Sequence, residues 1–134
     1  MVAGSFAKEA HAVPFHCMSL FDTTQLSLEA ALRGASLRQT LLTSNLANVN
    51  TPGYQRKDVD FHAQLQRAQE TGASPESVGF QPETDADRVV RPDGSGVDVD
   101  QEAAKLATNA LEYQALVQVA GARTSILQTA MGVR

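Results

Sequence analysis

Ser44, Asp60 and His62 supply the residue types of a hydrolytic triad: a hydroxyl to attack, an imidazole to take its proton and a carboxylate to orient the ring. Such a set works only when a strained strand-to-helix turn presents the hydroxyl, and no such elbow or strand scaffold surrounds Ser44. His62 is therefore read as a surface residue of a short helix. His11, His16 and Cys17 are metal-ligand types, but their segment has no regular periodicity and no second-shell groups nearby. Gly94 and Gly96 do not make a phosphate loop, because the helix expected after them opens on Asp98 and Asp100, whose charge repels an anion. No enzyme, cofactor or metal centre is expected.

The elements that would carry any site follow from composition and proline placement. The chain has 134 residues, 43% hydrophobic but only 5% aromatic, with no Trp. Leu and Ala carry the apolar content, which favours a mainly α fold. The formal net charge is -4, so a nucleic-acid footprint, which needs clustered positive charge, is not expected. One cysteine excludes an internal disulfide and a thiolate-based zinc site. No stretch approaches the roughly 20 apolar residues of a membrane span. The first 18 residues are interrupted by Lys8, Glu9, His11 and Pro14, unlike a secretory signal. Residues 1–18 read as a disordered leader or as sequence upstream of a start at Met18.

Proline inside a helix costs about 3 kcal/mol or more, and the five prolines leave two long arms free to be helical. The first arm, residues 19–50, has a stripe stepping by four and three through Phe21, Gln25, Leu28, Leu32, Ala35, Gln39, Leu42, Leu46 and Val49, seven of the nine apolar. The second, residues 98–134, has Ala103, Leu106, Ala110, Tyr113, Val117, Ala120, Leu127 and Met131. Asp98 three residues before Gln101 suits an N-cap, and acidic residues in the first turn favour the positive end of the helix dipole. Gly34 and Gly121 weaken their helices or admit close approach of a neighbour. Between the arms, residues 51–70 hold a turn and a short amphipathic helix over Phe61 to Ala68 with Asp60 as its cap. Residues 71–97, rich in Gly and Pro, read as a flexible, partly disordered loop.

The turn has a local explanation. Pro52 pushes Thr51 out of the helical region, and Pro52-Gly53 supplies the centre of a type II turn with positive φ at Gly53. Asn48 and Asn50 tolerate the left-handed conformation that ends helices. Asn45, Asn48, Tyr54, Arg56 and Lys57 are left over, and such a cluster suits a contact between subunits that fixes register.

Ser44 to Arg56, SNLANVNTPGYQR, resembles the N-terminal motif of flagellar basal-body rod and hook proteins, and it lies where that motif lies, at the end of the first helix. Asn45, Asn48, Asn50, Thr51, Pro52, Gly53 and Tyr54 are its matching positions. The chain is too short for the inserted domains of the distal rod and hook subunits. RKDVDF at 56–61, VDVDQEAAKLA at 97–107 and LEYQALV at 111–117 point to one of the two small proximal rod types. The resemblance implies that the terminal helices pair as an antiparallel, coiled-coil-like hairpin stacked among other rod subunits and copies of itself. The stripes read from spacing place the seam contacts at Leu28, Leu32, Leu42, Leu46, Val49, Leu106, Ala110, Tyr113, Val117 and Leu127. The resemblance also implies export without signal cleavage through the flagellar type III gate and its adaptor, assembly in the basal body beyond the inner membrane, and no catalytic role. The alternatives are the other small rod type and a cytoplasmic helical export chaperone.

Overall fold

The computed structural model describes residues 23–84 and 97–132. The leader, with His11, His16 and Cys17, lies outside the described residues, as do Phe21, Gly94 and Gly96. In chain order the elements are helix α1 (Thr23–Ala47), strand β1 (Lys57–Asp58), helix α2 (Phe61–Glu70), a 3-10 turn (Pro75–Ser77), strand β2 (Glu83–Thr84) and helix α3 (Val99–Ala130). The architecture is mainly helical, with α1 and α3 packed along each other. At 1.5 Å per residue they are about 37 and 48 Å long.

The expected caps form. Asp60 accepts the Ala63 N–H at 3.1 Å at the start of α2, and Asp98 accepts from the N–H groups of Asp100 and Gln101 at 3.2 and 3.4 Å. The Pro-Gly turn closes with Tyr54 N–H donating to the Thr51 carbonyl at 3.2 Å and Gly53 at φ 75°. No non-glycine residue among those described has positive φ, so Asn48 and Asn50 do not end α1 in the left-handed form expected of them. Instead the Asn48 side chain donates to the Ser44 carbonyl at 2.9 Å, and Thr51 Oγ1 donates to Asn48 Oδ1 at 3.3 Å. α1 stops at Ala47, two residues short of Val49.

Part of the centre is more ordered than its composition implies. β1 and β2 pair antiparallel, Lys57 opposite Thr84 and Asp58 opposite Glu83. The Gln64 amide clamps the Gln81 backbone, donating to its carbonyl and accepting its N–H, each at 2.9 Å. Pro75 is buried, and Arg33 donates to the carbonyls of Pro75 and Glu76 at 3.2 Å each.

The core lies along α1, on which α3, α2 and the strap between α1 and α2 pack: Leu28, Ala30, Ala35, Leu42, Val59, Phe61 and Val97. Phe61 seats on Gly34, where an added Cβ would come within 2.6 Å of the Phe61 Cβ, and meets Phe80 edge-on at 6.3 Å. Gly34 thus does admit a close neighbour, whereas a Cβ at Gly121 would touch nothing within 4 Å.

Candidate functional site

Because Asn45 sits in the last turn of α1, its side chain faces both the strap that follows and the first turns of α3. It is fully buried. Its Nδ2 donates to the Lys57 carbonyl at 2.7 Å and to Glu102 Oε2 at 2.9 Å. Its Oδ1 accepts from the Lys57 N–H at 3.0 Å and the Tyr54 hydroxyl at 3.1 Å. Both donors and both acceptor sites of the amide are therefore used within the chain. Ser44 Oγ lies 3.3 Å from the same Tyr54 hydroxyl.

Glu102 is the other end of this cluster. Its side chain has no exposed surface, yet Arg56 Nε donates to Oε1 at 2.5 Å, and Arg56 Nη2 reaches Asp58 Oδ2 at 2.6 Å. Arg38 Nε donates to Asp58 Oδ1 at 3.1 Å, and Lys105 Nζ stands 3.8 Å from Asp58 and from Glu102. Burial raises the Asp58 pKa, but the Arg56 bond, the Val59 N–H and the charges of Arg38 and Arg56 outweigh it and hold it below the usual carboxylate value. For Arg56, burial opposes the charge while Glu102 and Asp58 favour it more strongly, and its pKa is raised. One turn motif, one strand and the start of α3 are thus tied by paired charges, with Arg56 and Glu102 buried and Asp58 partly exposed.

Two heptad steps on α3 are polar on the side that meets α1. Seven residues after Glu102, the buried Asn109 donates to the Ala35 carbonyl at 3.0 Å and to Gln39 Oε1 at 2.8 Å. Since Glu102 reaches residue 45 and Asn109 reaches 35 and 39, α1 and α3 run in opposite directions. This side is turned by about one residue from the expected seam. Leu28 and Leu42 are buried and Leu32, Leu46, Val49, Leu106 and Ala110 half-buried, but Tyr113, Val117 and Leu127 stay 41%, 46% and 47% exposed. Beside Tyr113 a cleft of about 300 Å³ opens between the helices, lined by Ser36, Gln39, Thr40, Ala110, Tyr113 and Gln114. A further apolar stripe, Leu111, Ala115, Val119, Ala122 and Ile126, is centred about a third of a turn away from the Glu102–Asn109 side. Its large members are 56–68% exposed.

Asn45 and Arg56, expected at a contact between subunits, are thus turned into the chain. Lys57 joins through its backbone, with its side chain exposed, and Tyr54 is half-buried. Asn50, Thr51, Pro52 and Gly53 form the exposed turn, and Asn48 bonds only locally in the contacts described above. Glu102 and Asn109 were not singled out from the sequence. The available sequence signal for them is a seven-residue repeat of polar residues, Glu102 and Asn109, beside an apolar seam.

The triad types do not assemble. Ser44 meets Tyr54, Asp60 caps α2, and His62 is exposed and pairs with Glu112 through Nε2 and Oε1. Among the described residues no group of His, Cys, Asp and Glu could hold a metal, and no helix is long and apolar enough to cross a membrane.

The family model described as flagella basal body rod protein matches residues 27–55, which are most of α1 and the turn. The chain is 35% identical over 126 residues to the flagellar basal body rod protein FlgB of Bacillus subtilis (strain 168), covering 85% of this chain and 97% of that protein. It is 36% identical over 113 residues to the FlgB of Yersinia enterocolitica, covering 69% and 82%. It is 32% identical over 114 residues to that of Salmonella typhimurium, covering 71% and 83%.

Proposed function

The chain belongs to the family of the flagellar basal body rod protein FlgB, a non-enzymatic structural family, and from that premise we propose how it builds the rod. It is a structural subunit of the basal body rod. Each subunit contributes an antiparallel, coiled-coil-like pair of α1 and α3 to the proximal part of the rod, on the periplasmic side of the inner membrane. It arrives without signal cleavage through the flagellar export gate and its adaptor, and it supports flagellum-dependent motility.

The observation that carries this reading is the outward stripe of α3. Leu111, Val119 and Ile126 are 68%, 56% and 68% exposed, and between Lys105 and Met131 only Glu112 and Arg123 are charged. An apolar face of this length with so little charge fits helices laid side by side. The seam and turn residues Leu28, Leu32, Leu42, Leu46 and Val49, with Asn45, Asn48 and Tyr54, shape the subunit, and the outward face joins it to other rod subunits and to its own copies. Folding completed on assembly keeps the chain compatible with export, because an apolar stripe without partners contributes little net stability.

A Val119→Asp/Ile126→Asp chain is expected to remain expressed and helical but to be missing from detergent-extracted basal bodies, leaving cells that do not swim. Incorporation of this variant at the level of the unaltered chain would overturn the reading. Recovery of the unaltered chain with soluble export substrate in place of basal bodies would favour the chaperone alternative.

A further inference from the structure

α3 is apolar on more than one side. Its inner side meets α1, and its outer side carries Leu111, Val119 and Ile126. Hydrophobic burial is non-directional, so it does not choose which side of α3 faces α1, nor in what register. The seam is made mostly of Leu and Ala, and sliding one helix by seven residues again sets Leu and Ala against Leu and Ala. What distinguishes the observed pairing is polar. Glu102 finds Asn45 and Arg56 at one level, and Asn109 finds the Ala35 carbonyl and Gln39 at the next.

We propose that these two buried polar layers decide which helix face pairs with α1 and in what register, while the apolar seam supplies the attraction. Turning another side of α3 toward α1, from the same chain or from a second copy, would take Glu102 away from Arg56 and Asn45, leaving Arg56 with only Asp58 of its two carboxylate partners and Asn45 short of one acceptor. A slip of one heptad in either direction separates Glu102 from Asn45 and Arg56, and Asn109 from the Ala35 carbonyl. Buried groups stripped of partners penalise each wrong arrangement, which is how one polar position fixes register in a helical pair. Asn109 Nδ2 holds two acceptors on α1, the Ala35 carbonyl and Gln39 Oε1. This inference rests on the geometry within the chain and holds whatever covers the outer stripe.

The test reads register directly. In a full-length Cys17→Ser background, Ser36→Cys is combined with Gln114→Cys, which lines the same cleft, or with Ala107→Cys or Gly121→Cys, one heptad to either side. All four positions are exposed. A short bismaleimide is expected to link 36 to 114 within the chain about tenfold more than either slipped pair. In a chain also carrying Asn45→Leu, Arg56→Met, Glu102→Leu and Asn109→Leu, the three yields should come within about threefold of one another, with linked dimers appearing. Asn109→Leu alone should narrow the preference part of the way. Two results would overturn the proposal. One is a four-substitution chain that keeps the native preference. The other is a fall of all three yields to those seen in denaturant, which would mean that the layers supply stability and not choice.

Discussion

Glu102→Ala is expected to abolish the stable pairing of α1 with α3. The substitution leaves Arg56 buried with only Asp58 of its two carboxylate partners, and deprives Asn45 of one acceptor. Breaking a buried pair by removing one member costs about 3–5 kcal/mol, because the remaining charge is left uncompensated out of water. That is a large share of the roughly 5–15 kcal/mol that holds an ordinary domain, and among the described residues the buried apolar core comprises seven side chains. Far-ultraviolet circular dichroism of the full chain against urea should show the midpoint collapse toward zero denaturant. The exposed pair of His62 and Glu112 serves as the control, because surface pairs are worth about 0–1 kcal/mol, so Glu112→Ala should move the midpoint little. Equal shifts for the two variants would mean that the buried network carries no special weight.

Gly34→Ala runs against the usual expectation for a glycine inside a helix. Alanine there should gain up to about 1 kcal/mol from backbone propensity alone. Here the new methyl would stand 2.6 Å from the Phe61 Cβ and 2.7 Å from its Cγ, both within the forbidden range. Phe61 opens α2 next to Asp60, its cap, so it cannot move without drawing α2 off α1. Losing the seat of a fully buried Phe costs about 3–5 kcal/mol, so the net change should be a destabilisation of about 2–4 kcal/mol. The sign decides the matter: a chain stabilised by Gly34→Ala would show that Phe61 is not seated there. In the Phe61→Ala background the same substitution should become neutral or favourable, since the clash is then gone.

Local signals reached the right conclusions where local physics decides. Asp60 and Asp98 cap their helices and Pro52-Gly53 makes its turn, because each depends on a few neighbouring dihedrals and one or two hydrogen bonds. Two long helices follow from the proline-free arms for the same reason. The facing of α3 was less legible. With Leu, Val, Ala and Ile on both sides of the helix, periodicity alone admits more than one stripe, and tertiary contacts chose the one through Glu102 and Asn109. Asn45 and Arg56 were read as outward contacts because polar residues beside a seam are normally solvated or intermolecular. Their burial becomes intelligible only once Glu102, distant in sequence, is brought against them. The pairing of β1 with β2 was invisible because two-residue strands leave no alternation to detect, and their register depends on the Gln64 clamp on Gln81.

The central claim is that this chain is a rod subunit whose α3 is covered on its outer side by a neighbour. A density map of isolated basal bodies, at a resolution that separates helices and large side chains, tests it most directly. The account predicts this chain in the proximal rod, α1 and α3 paired as described, with Leu111, Val119 and Ile126 buried against an adjacent subunit. A map that places the chain elsewhere, or that leaves this face of α3 open to solvent in the assembled rod, would contradict it.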